Sequence, residues 1–506
     1  QTYNLAHLPQ RSDDKIVLGV LDDPEEQTQE VEYFRPDQDG HIAYYGASGS
    51  GKTTALRSLA IAASITPRSG PVNVYALDFA GGGLDMLKKL PNVGDVIVGD
   101  DDERIAKLIT MLGDIVEERS VSYKAINANH LTSYRELSGH KDEPRYLVLI
   151  DGIAAFAETY QLTGRYAAIW SRFQQVLSDG REVGVHFAVS ADRPQAIPNS
   201  IAASFQRKVV LRLTDEDAYL YFNLPRDVLS ASSAPGRAMQ VGNPNLLQLP
   251  ILGTNVTDFA QAREIESLAG TRYMRQRTRP APIRSLPLDI PAREVDLTVE
   301  GRPVIGVEAG SLAPMPLRPA GTVAITGPAQ SGRTNTVRWL ARSVHRAFPN
   351  AVMLHASARR SLVAREPLWT ETAQGADKIA SMLIKHAHLF EEEAPDNTPG
   401  VVLFVEGIGE FSFSACDQQL QDAIASSKAN GHLVVAEADV SGWSFGGSLA
   451  SGVRSGRTGI VLCPSPGEGE NAVGVAVPGV SGREAVPGRG YFVQSGKQWK
   501  VQVPRV

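Results

Sequence analysis

Short apolar runs alternate with longer amphipathic stretches along most of the chain. In the first half IAYY (42–45), VNVYALDF (72–79), YLVLI (146–150) and VHFAVSA (185–191) have the length and content of buried strands. Between them TTALRSLAIAAS (53–64) and DDERIAKLITMLGDIVEERS (101–120) carry helical spacing, the second starting on acids that suit a helix N-terminus. The second half repeats the order with TVAIT (322–326), AVMLHA (351–356), VVLFV (401–405) and HLVVAEA (432–438). Buried strands alternating with helices predict an α/β protein with mainly parallel sheets covered on both faces. Two such cores are expected, of the kind that binds nucleotides.

The repetition extends beyond the strands. KIVLGVLDDPEEQ (15–27) leads into the first half and RPVIGVEAGSLAPM (302–315) into the second, and each half closes on one tripeptide, PGRAMQV from Pro235 and PGRGYFV from Pro487. A two-fold internal repeat follows. A chain of 506 residues also suits two to three domains at about 150 residues each. The expected units are 1–270 and 298–506, joined by TRYMRQRTRPAPIRSLPLDIPAREVDL (271–297). That segment is basic and proline-rich, lacks apolar periodicity, and predicts a solvated linker.

Between the first strand and helix stands GASGSGKT, which fits G-x-x-x-x-G-K-[ST] at each fixed position. Such a loop curls backbone N–H groups around phosphate oxygens at the positive end of a helix. Lys52 is expected to reach the β- and γ-phosphates of ATP, and the Thr53 hydroxyl to ligate Mg²⁺. The magnesium shell needs a carboxylate at a strand tip, and YLVLIDG supplies Asp151. The expected nucleotide site is therefore Gly46, Ala47, Ser48, Gly49, Ser50, Gly51, Lys52, Thr53, Thr54 and Asp151, with Thr53 and Asp151 as the metal-facing pair. Many related ATPases carry a Glu base after the Asp. Here Gly152 follows, and Glu158 reads as a surface residue, so no catalytic residue is assigned and hydrolysis is expected to be slow.

GPAQSGRT, the corresponding loop of the second half, is blunted. A weaker second site is expected from Gly327, Pro328, Ala329, Gln330, Ser331, Gly332, Arg333, Thr334, Asn335 and, at the strand tip, Glu406. The planar guanidinium of Arg333 does not thread into a lysine slot, Glu406 is one methylene longer than Asp, and Gly407 again follows. Efficient hydrolysis there is not expected.

Weaker features add little. SADRP, beginning at Ser190, could place a polar sensor beside a γ-phosphate or be an ordinary turn. Arg207 and Arg457, at comparable places in the two halves, could be arginine fingers toward a neighbouring subunit, though surface arginines are commoner. His386 and His388 sit two apart on an expected helix and face different ways, which argues against a metal site. DDDE (100–103) suits a helix start. The two cysteines, Cys416 and Cys463, read as buried thiols in a reducing compartment. A net charge of −6 gives no general attraction to nucleic acid. No run approaches the roughly 18 apolar residues of a membrane span. The first residue is Gln1 rather than Met, so a longer protein is expected, with any membrane anchor outside these residues.

Taken together, the tandem loops, LGVLDDPEEQ, LDFAGGGLDMLKKLPNVGDVI (77–97) and the repeated PGR resemble the second and third ATPase domains of EccC, the FtsK/SpoIIIE-like motor protein of type VII secretion. The resemblance covers nearly the whole chain and is weaker in the second half. It implies two tandem P-loop NTPase domains of RecA/FtsK type, ATP and Mg²⁺ as ligands, and work at the cytoplasmic face of the cytoplasmic membrane beside other secretion subunits, in a homo-oligomer that is hexameric when active. The implied cargo is a small WXG-type helical hairpin, EsxA/EsxB-like, whose carboxy-terminal signal is received by the last ATPase domain, somewhere in 285–506. The alternative is a double-stranded DNA translocase of FtsK/SpoIIIE type, against which Gly152, Gly407 and the acidic balance count.

Overall fold

The computed structural model describes the chain except residues 1, 25, 67–69, 163, 396–397 and 481. Glu25, inside the LGVLDDPEEQ lead-in, is therefore outside the described residues. The chain divides into two compact units, Gln1–Arg284 and Ser285–Val506.

The first unit is built on one sheet. Its strands are β1 (Ile16–Asp23), β2 (Thr28–Phe34), β3 (Ile42–Tyr45), β4 (Val72–Asp78), β5 (Val93–Val98), β6 (Arg145–Asp151), β7 (Val185–Ala191), β8 (Arg207–Leu211), β9 (Arg237–Gln240) and β10 (Leu246–Gln248), in spatial order β2-β1-β10-β9-β8-β3-β7-β6-β4-β5. The block from β8 to β5 is parallel, and the remaining strands join it antiparallel. Period-two alternation divides β3 between two cores. Ile42 and Tyr44 pack with the helix Lys52–Ser64, while Ala43 and Tyr45 pack under the helices Asp102–Ala125 and Ala167–Asp179. Burial on both faces explains the unbroken apolar runs.

The second unit repeats this plan with β11 (Thr298–Val299), β12 (Arg302–Glu308), β13 (Pro314–Pro316), β14 (Gly321–Thr326), β15 (Val352–Ser357), β16 (Glu371–Gln374), β17 (Val401–Glu406), β18 (Leu433–Glu437), β19 (Gly459–Leu462), β20 (Arg489–Gln494) and β21 (Lys497–Gln502). The order β11-β12-β21-β20-β19-β14-β18-β17-β15-β16 matches the first sheet inward from β12, while at the edge β11 precedes its partner β12 where β2 follows β1, and β13, which follows β12 and pairs with it, has the connectivity of β2. In both units one strand separates the loop-bearing strand from the carboxylate-bearing one: β7 lies between β3 and β6, and β18 between β14 and β17.

The connecting segment is largely exposed, as its composition suggests, and is also tied down by hydrogen bonds. Tyr273 donates its hydroxyl to Thr66 O at 2.7 Å, Arg279 donates to Lys88 O at 2.9 Å, and Tyr75 donates to Ala281 O at 2.7 Å. Beyond Arg284 the chain joins the second unit, where Leu286 and Ile290 are buried. Proline keeps the backbone extended and removes donors, so the segment is held by its Tyr273 and Arg279 side chains and its Ala281 carbonyl.

Candidate functional site

The loop after β3 lies at the C-terminal ends of the parallel strands, where α/β sheets bind ligands. The helix Lys52–Ser64 begins at Gly51, at φ 107°, with no side-chain cap, so its first-turn N–H groups face outward without an internal acceptor. The loop is held from behind. Gly46 N–H donates to Ala191 O at 3.0 Å, Ala47 N–H to Arg212 O at 2.8 Å, and Gly236 N–H to Ser50 O at 2.9 Å. The last bond gives the PGR tripeptide its role. A Cβ on Gly51 would meet Gly236 N at 3.0 Å, so only glycine permits the approach. The second unit repeats it, with Gly488 N–H donating to Ser331 O at 2.8 Å.

Within the first site Thr53 Oγ1 donates to Asp151 Oδ2 at 2.7 Å, and Ser190 on β7 donates to the other carboxylate oxygen. Gly152 N–H donates to Ser190 Oγ at 2.8 Å. Lys52 Nζ donates to Gly46 O at 2.5 Å and Ala47 O at 3.0 Å. Burial pulls its ammonium below the usual range, and Asp151 and Asp192 oppose that pull. SADRP thus supplies Ser190 and Asp192 to the site. DFAGGG, noticed in the sequence only as a family mark, also belongs here. Asp78 accepts from the N–H groups of Ala80, Gly82 and Leu84 at 3.0–3.1 Å, and the loop it organises lies against Thr53, whose Cγ2 would be 2.6 Å from a Cβ on Gly83.

Lysine, threonine and aspartate on this cradle are the donor set that a nucleotide and its magnesium require. The buried Ser50 hydroxyl, without a partner among the described residues, adds a donor at the loop's base. The residues fit the group. Gly152 has φ 90°, and a Cβ there would meet Phe79 Cβ at 3.3 Å, which explains its presence where related motors carry a base. Glu158 is exposed on the helix Ile153–Leu162.

The second loop keeps the backbone and changes the chemistry. Gln330 holds φ 64° where Gly49 has 70°. Register places Glu406 where Asp151 stands and Glu437 where Ser190 stands. Arg333 Nη1 donates to Glu437 Oε1 at 2.6 Å, and Glu406 accepts from Ser361 Oγ at 2.5 Å and bonds His355 Nε2 at 2.7 Å. Burial pushes the Glu437 carboxyl above its usual range; Arg333 opposes this and Glu406 adds to it. Sequence reasoning found Arg333 and Glu406 and missed Glu437, because the strand between loop and carboxylate carries no motif. With its lysine equivalent held by one glutamate and a second alongside, this loop carries a different charge pattern from the first. A cavity of about 690 Å³ opens above it, lined by both glutamates, Arg333, Arg360 and the exposed Phe445.

Other candidates lie elsewhere. Arg207 starts β8, away from the loop, and pairs with Glu32. Arg457 is exposed just before β19. Cys416 is buried, whereas Cys463 is half-buried rather than buried as expected. His386 bonds Glu371 at 2.9 Å.

The model of the FtsK/SpoIIIE family matches residues 10–240. Among curated relatives, the ESX secretion system protein YukB of Bacillus subtilis strain 168 is 25% identical over 98% of this chain, and the ESX-1 secretion system protein EccCb1 of Mycobacterium tuberculosis is 24% identical over 65% of it. The chain spans 34% of the first and 58% of the second. Among solved structures, EssC ATPases 2 and 3 from Geobacillus thermodenitrificans match with a TM-score of 0.75 at 20% identity, covering 100% of this chain and 99% of that one. Thermomonospora curvata EccC, ATPases 2 and 3 in complex with a signal sequence peptide, matches at 0.66 and 21%, covering 100% and 95%. The chain shares its fold with these two-domain structures over its whole length.

Proposed function

We propose that this chain is the nucleotide-holding, cargo-receiving part of a type VII secretion motor. One observation carries the reading: two units of one topology differ at the strand tips, with Lys52, Asp151 and Ser190 in one and Arg333, Glu406 and Glu437 in the other. The first unit holds ATP with Mg²⁺ through Lys52, Thr53 and Asp151. Bound there, ATP supplies phosphate charge that favours one arrangement of the loops around it, so binding without fast turnover acts as a regulatory signal. With Gly152 in the base position, turnover is slow.

The second unit, freed from nucleotide, receives the carboxy-terminal signal of a small EsxA/EsxB-like helical hairpin. The EccC relative solved with a signal sequence peptide supports this. The working assembly is a homo-oligomer, hexameric, at the cytoplasmic face of the membrane beside the other secretion subunits. Arg207 and Arg457, one on each unit, are the residues to examine as trans-acting fingers.

The test uses the intact chain. A fluorescent ATP analogue with Mg²⁺ is expected to bind saturably and to lose that binding in Lys52→Ala, while a labelled carboxy-terminal peptide from a co-encoded hairpin protein binds both variants. Tight binding of a DNA duplex at physiological salt, with no response to peptide, would overturn the secretion reading in favour of a DNA translocase. Brisk ATP turnover that vanishes in Lys52→Ala would overturn the slow-hydrolysis part.

A further inference from the structure

Arg212 is the first residue beyond β8, and no motif marks it. Its carbonyl accepts Ala47 N–H at 2.8 Å. Its guanidinium returns to the same loop: Nη2 donates to Gly49 O at 3.0 Å, and Nη1 to Ala231 O at 3.3 Å and Ser233 O at 3.2 Å. The segment it ties down runs into Gly236, whose N–H holds Ser50 O. Two consecutive loop carbonyls, those of Gly49 and Ser50, are therefore fixed by donors on one side. In a planar trans peptide the C=O and the following N–H point in opposite directions, so the Gly51 N–H is kept on the side away from the clamp, while the Ser50 N–H closes the turn on Ala47 O at 3.2 Å. Gly49 sits at φ 70°, and a peptide next to glycine turns over at little cost. A turned peptide would break the bond from Ser50 N–H to Ala47 O and aim the Gly49 oxygen into the loop, where it would repel a phosphate.

We propose that Arg212 is a positioning residue of the first nucleotide site, holding the Gly49–Ser50 peptide so that the loop keeps its turn and the Gly51 N–H stays on the phosphate-facing side. The proposal rests on the first unit being a nucleotide site. The second unit lacks both halves of the device. Pro328 replaces Ala47 and has no N–H to donate, and Cys463 follows β19 where Arg212 follows β8, its thiol donating to Val486 O at 3.2 Å. The loop with the blunted chemistry is also the loop without the arginine.

The test titrates the full chain, as wild type, Arg212→Ala and Arg212→Lys, with mant-ATP and mant-ADP in Mg²⁺, alongside the melting temperature of each protein without nucleotide. Arg212→Ala is expected to bind both nucleotides about tenfold more weakly, by the same factor because the clamp acts on the loop and not on the γ-phosphate. Its melting temperature without nucleotide stays at the wild-type value, and Arg212→Lys recovers part of the affinity because an ammonium still serves Gly49 O. Wild-type affinity in Arg212→Ala overturns the proposal. So does a loss of affinity accompanied by a matching loss of stability without nucleotide, which would make the residue structural only. A wild-type chain that binds neither nucleotide overturns the reading of the site itself, and this inference with it.

Discussion

Arg333 donates to Glu437 at 2.6 Å at the two positions that Lys52 and Ser190 hold in the first unit. The pair makes the departures of the second loop one coordinated change rather than separate drifts. An arginine at the lysine position brings a cation that a carboxylate one strand away can hold, and Glu437 is that carboxylate. Reverting one partner therefore does not recreate the first site. In a Lys52→Ala background, Arg333→Lys alone is expected to leave ATP-analogue binding undetectable, since Glu437 still captures the lysine. Combining Arg333→Lys with Glu406→Asp and Glu437→Ser is expected to raise affinity at least about tenfold. Equal recovery by the single substitution, measured by fluorescence titration, would show that the ion pair does not gate the site.

Removing the arginine should also reveal how closely the two glutamates stand. Glu406 and Glu437 are partners in register on adjacent parallel strands. Breaking a buried pair by deleting one member typically costs about 3–5 kcal/mol, and Glu437 is largely buried. Arg333→Ala is expected to lower urea-unfolding stability by an amount near the low end of that range, because Glu437 can relieve the repulsion by taking a proton. Adding Glu437→Gln should recover most of the loss. A double-mutant cycle with no coupling would mean that the pair is stabilised by something other than its charge.

The strand-tip glycine gives a sharper test of function. Gly152 has φ 90°, a region that costs an L-residue about 1–2 kcal/mol. Gly152→Ala is expected to destabilise the chain by about that much, and Gly152→Glu to destabilise it without raising ATP turnover, because the strained backbone misplaces the side chain. A faster phosphate-release rate in Gly152→Glu would show instead that only the missing carboxylate keeps the unit slow.

The parallel cores were legible in the sequence because strands buried on both faces leave unbroken apolar runs such as YLVLI, and the first loop was legible because its fixed positions are contiguous. The antiparallel strands β9, β10, β20 and β21 were not, since all four are half-polar and the first two are also short. Within the site, Lys52, Thr53 and Asp151 carry motif positions, whereas Ser190, Glu437 and Arg212 reach it only because β7, β18 and β8 neighbour the loop strands. The hydrogen bonds of the connecting segment were hidden for a related reason: its exposed prolines and arginines read as solvated, and only the fold shows which carbonyls and side chains they meet.

A pair of histidines under the first sheet predicts how this unit responds to acid. His41 accepts Phe187 N–H on Nδ1 at 3.0 Å and donates from Nε2 to Leu177 O at 2.7 Å. His186 donates from Nδ1 to Gly40 O at 2.8 Å and accepts Arg145 Nη1 on Nε2 at 2.8 Å. Each ring is satisfied only when neutral, because a second ring proton would face an N–H donor. Burial, more than any neighbouring charge, holds His41 down at about 4, and burial together with Arg145 holds His186 well below its usual range. Both folded values are depressed below the unfolded one, so the unfolded chain gains protons first as pH falls. Stability is complete above about pH 6.5 and declines below it by up to about 1.4 kcal/mol per pH unit for each ring, until the folded ring titrates. Asp37, which burial raises but Arg145 and its hydrogen bonds bring down to about 2, adds a loss only in stronger acid. Urea midpoints are therefore expected to drop between pH 6.5 and 4.5, and His41→Gln, which keeps a donor and an acceptor and cannot titrate, should reduce that slope at the expense of some stability at pH 7.5. A slope unchanged by His41→Gln would assign the acid response to other groups.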